Sequence, residues 1–305
     1  MKNFSVKKIF LLTLLTLFAV FSGSTQEYTL TKHPDAMFWT INSTDLDGNP
    51  SRIYVLGTIH LADEEIYPIP DFILDAWNEA DRIYGELSDE DWGKVYLETT
   101  KLVLNSIISD KEKQVENFLT EDEIEILKNA LKEKYNLFRI YQPWIFTNAL
   151  TGLAYNDTDL DASYSYDLFF IQKAKEENIV INGLDELKDQ LELICYGDFE
   201  TQLAILKETI KEFDSDKGLE SIMEMYDIYK EADAEKFADF YDNLQTEAIK
   251  ECPLYKDYYA KMLDERNAKW GAIFSDLLKE GGTTFVFAGT GHFIGDKAAF
   301  NYVYK

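Results

Sequence analysis

The chain has 305 residues, 30 basic against 56 acidic side chains, and a formal net charge of −26. A surface this acidic repels the phosphates on which nucleic-acid binding rests and disfavours anionic membranes; its plainest consequence is a solvated, self-repelling exterior. The two cysteines, Cys195 and Cys252, form no Cys-x-x-Cys pair, which argues against zinc-ribbon or thioredoxin-type chemistry and leaves open whether they make one disulfide.

Residues 1–24 read as a secretory signal. Lys2, Lys7 and Lys8 precede an apolar run from Ile9 to Phe21, and Ser22-Gly23-Ser24 supplies small residues for cleavage near Ser24. The run is shorter than the ~20 residues of a membrane span, and no cysteine follows it to carry a lipid. Export to the periplasm or the extracellular space is therefore expected, with membrane association only if the segment is retained. Removing its three lysines takes the net charge to −29. The remainder, 25–305, reads as one domain.

Strands are predicted at Met37–Ser43 and Arg52–Leu56. Asp45-Leu46-Asp47-Gly48-Asn49-Pro50 between them is rich in turn formers and makes the two a hairpin. A helix follows over Pro70–Ala80, with Phe72, Ile73, Ala76, Trp77 and Ala80 at helical spacing, and then a third strand at Arg82–Leu87. From about 92 to 278 the pattern is helical, notably over Glu121–Tyr135, Tyr166–Glu177, Glu200–Phe213, Asp233–Leu244 and Asp257–Lys279. A short strand near Ile179–Ile181 interrupts it. A strand at Thr284–Ala288 and a further one at Tyr302–Tyr304 close the chain. Trp77, Trp144 and Trp270 fall on apolar stripes and are assigned to the core. The fold class is α/β (α+β): a central mixed sheet, flanking helices and a large helical insertion.

Of the three histidines, two end the same phrase: Gly57-Thr58-Ile59-His60 and Gly289-Thr290-Gly291-His292. Each follows a short β-type run, and ligand sites of α/β sheets lie beyond the carboxyl ends of strands. Folding alone can bring two such turns together. His33, in Thr31-Lys32-His33-Pro34, has no such setting and serves as the internal contrast. Glu86 ends the third strand and is the natural carboxylate partner. Two imidazoles and a carboxylate suit a divalent transition metal with an open position, or metal-free chemistry with one histidine as general base; the residues alone do not separate these.

At these positions the chain resembles the TraB/GumN family, which includes the Tiki-type metalloproteases and carries two Gly-x-x-His motifs around its domain with a glutamate after the first. Leu56-Gly-Thr-Ile-His-Leu61 is similar to the family's opening signature, and Gln142-Pro143-Trp144 to its mid-domain Pro-Trp. Ser165-Tyr166-Asp167 resembles its Tyr-Gly-x-Asp segment, Asn182-Gly183-Leu184-Asp185 its Gly-Leu-Glu, and Glu265-Arg266-Asn267 the run before its last helix. The likeness spans about 36–300, with two departures: Asp185 stands for Glu, and the Gly-x-Asp segment is altered. These bear on the substrate's surroundings more than on the histidines or Glu86.

The resemblance implies a fold similar to that of the erythromycin esterases and haem-binding ChaN proteins. It further implies a hydrolase, in Tiki-type form a metal-dependent peptidase. His60, Glu86 and His292 would then hold manganese, cobalt or zinc, and the substrate would be a peptide or small molecule. By the same analogy Arg266 faces the site and binds an anionic group or oxyanion, its plainer role being a helix-surface ion pair. Asp167 either supports a site residue or caps a helix. The alternatives are a metal-free, esterase-like hydrolase and a non-catalytic protein that binds haem or a peptide.

Overall fold

The computed structural model describes residues 26–156, 158–215 and 217–305; the expected signal segment lies outside them. Six strands form one sheet: β1 Thr29–Lys32, β2 Phe38–Thr44, β3 Pro50–Thr58, β4 Arg82–Gly85, β5 Ile181–Gly183 and β6 Gly282–Gly289. Their order is β1-β2-β3-β6-β4-β5. β1, β2 and β3 are antiparallel neighbours, whereas β3, β6, β4 and β5 run parallel. The expected hairpin is β2–β3, turned by Asp45, whose Oδ1 accepts the Asp47 and Asn49 amides.

Alternation along the central strands divides the core. Phe285 and Phe287 of β6, with Phe38 and Leu56, face Ile73, Trp77 and Phe170. Val286 and Ala288 face the opposite way, with Trp39 and Val55, against Trp270 and Phe274. A parallel strand covered on both faces is buried along its length, which is why Thr284–Ala288 reads as an unbroken apolar run.

The helices are α1 Asp71–Glu79, α2 Asp89–Asn105, α3 Glu121–Leu131, α4 Tyr135–Phe138, α5 Pro143–Asn156, α6 Tyr166–Glu177, α7 Leu187–Ile194, α8 Phe199–Asp214, α9 Lys217–Lys230, α10 Ala234–Glu251, α11 Tyr255–Tyr259 and α12 Arg266–Glu280. All but α1 lie between β4 and β6. Within that insertion α3, α5 and α8 build a separate core from Leu127, Leu131, Phe146, Leu150, Leu206 and Ile210. α11 and α12 are joined by a π-helical turn, Ala260–Glu265, of the kind often found beside functional sites. Trp77, Trp144 and Trp270 are all buried. Cys195 and Cys252 are free thiols. No helix among the described residues is long and apolar enough to cross a membrane.

Two expectations are corrected. Tyr302–Tyr304 is not a strand: Ala299–Tyr302 is a 3-10 turn lying on α12. Gly271 makes this possible, since a Cβ there would stand 2.5 Å from the Tyr302 Cβ and 2.7 Å from the Ala299 carbonyl. Phe300 and Val303 are buried in the same core as α12, so the tail packs on the helix and adds no strand to the sheet, whose edges are β1 and β5. The strand expected at Ile179–Ile181 begins two residues later, at Ile181.

Candidate functional site at the ends of three parallel strands

His60, His292 and Glu86 follow β3, β6 and β4, which are adjacent in the sheet. The register aligns Thr58 with Gly289 at the ends of β3 and β6, and Tyr84 of β4 with Val286. All three residues therefore leave the same edge of the sheet.

The repeated phrase has a structural reason. Thr290 Oγ1 donates to the Thr58 carbonyl at 2.9 Å, joining the two turns through their threonines. A Cβ on Gly57 would stand 2.8 Å from Thr290 Oγ1 and 3.2 Å from Thr290 Cα, so only glycine admits the second turn this close. Tyr229 donates to the Gly57 carbonyl at 3.0 Å from the other side. Thr58 Oγ1 in turn donates to Asp167 Oδ1 at 2.7 Å. Asp167 lies in the first turn of α6, where the helix N-terminus favours an anion, while Ser165 provides the side-chain cap.

Asp167 Oδ2 has no hydrogen-bond donor and faces His60 Nδ1 at 3.4 Å. Contact with Asp167, reinforced by Glu86 and opposed by the surrounding protein and by Arg266, pushes the His60 imidazole up to about 9. Its side chain is 75 % exposed, so solvent screens the pair and the direction of the shift carries the argument.

His292 is held in the opposite state. It is buried, and burial first, then the charge of Arg266, lowers its pKa to about 3. Nδ1 lies 2.6 Å from Asn267 Oδ1, and the Asn267 amide nitrogen donates to the Lys297 carbonyl at 2.7 Å. That second bond orients the Asn267 carboxamide, so the neutral imidazole carries its proton on Nδ1 and leaves Nε2 as an acceptor. The Trp270 ring packs against it at 4.1 Å between centroids.

Glu86 is the hub. Oε2 accepts from Arg266 Nη2 at 2.7 Å and Gln190 Nε2 at 3.0 Å, and Oε1 from the Gly289 amide at 3.0 Å. Burial raises its pKa, but Arg266 above all, then His292, His60 and the Gly289 amide, bring it down to about 2. Arg266 also donates through Nε to Asp185 Oδ2 at 2.7 Å. Asp185, with no exposed side-chain surface, accepts from Trp270 Nε1 at 2.9 Å. Burial opposes the Arg266 charge, but Glu86 and Asp185 raise its pKa above the ordinary guanidinium value. Arg266 is thus a buried strut between two carboxylates, at the first residue of α12.

As arranged, these residues do not fit a bound metal. Among the described residues no group of three or more His, Cys, Asp or Glu side chains is placed to hold an ion. Both Glu86 oxygens are engaged, and a guanidinium occupies the approach to one of them. The arrangement does offer two imidazoles in opposed surroundings, one raised and one lowered in pKa, beside a fixed carboxylate. His33, the internal contrast, stacks on Phe72 with ring centroids 3.7 Å apart. Asn267 and Gln190 are site members that reading the chain did not single out; the signal for Asn267 was its position directly after Arg266.

Fold and candidate site together define a mixed α/β protein with a six-stranded sheet, at one end of which two Gly-Thr-x-His turns interlock. The chain belongs to the TraB/PrgY/gumN family, whose sequence profile matches residues 37–303. It is 27% identical over 280 residues to an uncharacterized protein of Treponema pallidum (strain Nichols), covering 90% of this chain and 82% of that one. No solved structure matches the chain.

Proposed function

We propose that this protein is an exported hydrolase of peptide or ester bonds that works by paired acid and base groups. The observation that carries the reading is the opposite protonation of its two imidazoles: environments that push two titratable groups apart assign acid and base roles. Protonated His60 donates to the leaving group, and Asp167 holds it charged and oriented. Neutral His292 accepts a hydrogen bond from the attacking water through Nε2, with its tautomer set by Asn267. The pinned Glu86–Arg266 pair sits near enough to both imidazoles to act on their charge. The test is hydrolysis of a peptide library and simple aryl esters by purified protein, with and without chelator. Cleavage that resists chelator supports this form. Cleavage abolished by chelator replaces it with the metal-dependent peptidase, and no cleavage at all overturns the hydrolytic reading.

The pH dependence follows from the two shifts. His60 is raised, so its charged form is complete below the ordinary histidine value of about 6.5 and is lost as pH rises through about 9. His292 is lowered, so it stays neutral until pH falls to about 3. The groups facing His60 are Asp167 from α6, Glu86 after β4, Arg266 of α12 and His292 after β6. A plateau in kcat/KM from mildly acidic to mildly alkaline pH is expected. In Asp167→Asn the alkaline limb moves down towards 6.5; a limb at the same pH in both proteins would remove His60 as the acid.

A further inference from the structure

The Glu86–Arg266 pair lines a cavity of about 460 Å³ that opens to solvent between the sheet end and the helical insertion. Its two sides differ in chemistry. One is apolar and aromatic: Leu193 and Ile194 from the end of α7, Tyr196 just after it, Tyr255 and Tyr258 of α11, and Met262 of the π-helical turn. The Tyr196 and Tyr258 rings meet edge to face with centroids 5.4 Å apart, and Tyr255 meets Tyr258 in the same way at 6.1 Å. The aromatic side is therefore one connected surface. Ile194 remains 42% exposed on it. Arg266 Nη1 donates to the Met262 carbonyl at 3.2 Å, which ties this surface to the strut of the candidate site.

The other side comes from α5 and α8. Asn148 and Thr151 fall four and seven residues after Trp144, on one helical face, and line the cavity together with Thr209 of α8. Trp144 and Ile205 are the apolar members of this side. Asn148 and Thr151 are both exposed, and the Asn148 carboxamide has no hydrogen-bond partner among the described residues. The opposite faces of the same helices, with Phe146, Leu150, Leu206 and Ile210, form the apolar core of the insertion.

An extended peptide matches such a pair of surfaces. Its backbone N–H and C=O groups need polar partners, and a carboxamide offers a donor and an acceptor together. A side chain projecting the other way leaves water against the aromatic side. Charge narrows that side chain. Among the described residues lining the cavity, two carboxylates, Glu86 and Glu212, stand against one guanidinium, which Glu86 and Asp185 already share. An acidic side chain is disfavoured there. A cationic one meets Lys261, which already lies over the Tyr196 ring at 5.6 Å, and gains no polar contact from Leu193, Ile194 or Met262. An aromatic ring is received both by these apolar neighbours and by the tyrosines, in the edge-to-face packing they already use.

We propose that this cavity is a peptide groove, in which Asn148 holds the backbone of the bound chain and the side of Ile194, Tyr196 and Tyr258 receives an aromatic side chain. This deepens the hydrolytic reading and rests on it only in making the peptide a substrate; binding has its own readout.

Calorimetry measures binding to the full mature chain carrying His60→Ala, so that no turnover intervenes. The probes are blocked tetrapeptides with phenylalanine, leucine, lysine, glutamate or alanine at each position in turn. At one position phenylalanine is expected to bind about tenfold to a hundredfold more tightly than alanine and a few-fold more tightly than leucine, with glutamate the weakest. Ile194→Asp is expected to erase most of the phenylalanine advantage there. Asn148→Ala is expected to weaken every peptide by a similar factor, roughly threefold to tenfold, and to leave the ratios alone. Both side chains are exposed, so neither change is expected to move the melting temperature, which separates lost binding from lost fold. Equal binding of all the side chains, tightest binding of lysine, no binding at all, or a preference unmoved by Ile194→Asp overturns the groove. Affinities untouched by Asn148→Ala overturn its role at the backbone. Hydrolysis of the same peptides by the unmodified chain is scored separately: selective binding without cleavage retains the groove and removes the hydrolase, whereas cleavage without selectivity does the reverse.

Discussion

Replacing His60 with alanine is expected to lower kcat/KM by roughly a hundred- to ten-thousandfold, the range general acid–base groups contribute, with little change in stability. The separation is possible because of where His60 sits. Its side chain is 75% exposed, so its removal leaves no buried cavity, and the contact it loses is an ion pair at a solvated position, worth about 1 kcal/mol or less. His33→Ala is the control, since that ring stacks on Phe72 far from the strand ends in sequence and role; its turnover is expected to match the parent. The measurement is steady-state kinetics on a cleaved library substrate beside thermal melting. A His60→Ala protein that keeps its turnover, or one whose loss tracks unfolding, would sink the assignment.

The second large effect is on stability, at Asp185. This carboxylate has no exposed surface and holds both Arg266 and the Trp270 N–H. Removing one partner from a buried ion pair costs about 3–5 kcal/mol when it strands the other charge; here Glu86 still holds Arg266, so the lower end of that range applies, together with the lost acceptor of the Trp270 N–H. Asp185→Ala is therefore expected to lower Tm by roughly 10 °C, whereas Asp185→Asn, which keeps an acceptor for Trp270, loses less. Glu86 remains as the one carboxylate on Arg266 in both variants. Melting by calorimetry checks the order, and equal Tm values for Asp185→Ala and the parent would show that the strut carries no load.

Much of this site could be read from the chain because strand ends in a parallel sheet converge. Once Arg52–Leu56, Arg82–Leu87 and Thr284–Ala288 are strands, His60, Glu86 and His292 have to emerge at one edge. What could not be read lies in side chains that arrive from helices. Asp167 was legible only as either a support or a helix-end residue, and its place in the first turn of α6 makes it both an N-terminal anion and the partner of His60. Gln190 sits in a charged helix whose sequence gives no hint that one amide reaches Glu86. Asp185 was noticed as a departure, but a short acidic side chain meeting an arginine and an indole is a product of packing at the start of α12. β1 escaped notice because its burial pattern is almost wholly exposed, so no apolar alternation marks it. Tyr302–Tyr304 misled for the opposite reason: a short apolar run reads the same whether it enters a sheet or lies on a helix.

The strand order has a consequence for biosynthesis. β6 lies between β3 and β4 in the sheet, yet among the described strands it is the last to leave the ribosome. Until it arrives, the β1–β3 meander and the β4–β5 pair each present an open edge, the kind of surface on which chains associate wrongly, and closing a sheet across so long a loop is slow. His292 and the Thr290 clasp come with the same segment. A nascent or C-terminally clipped chain therefore has neither a joined sheet nor the two interlocked turns, so the candidate site is assembled only by completion of the fold.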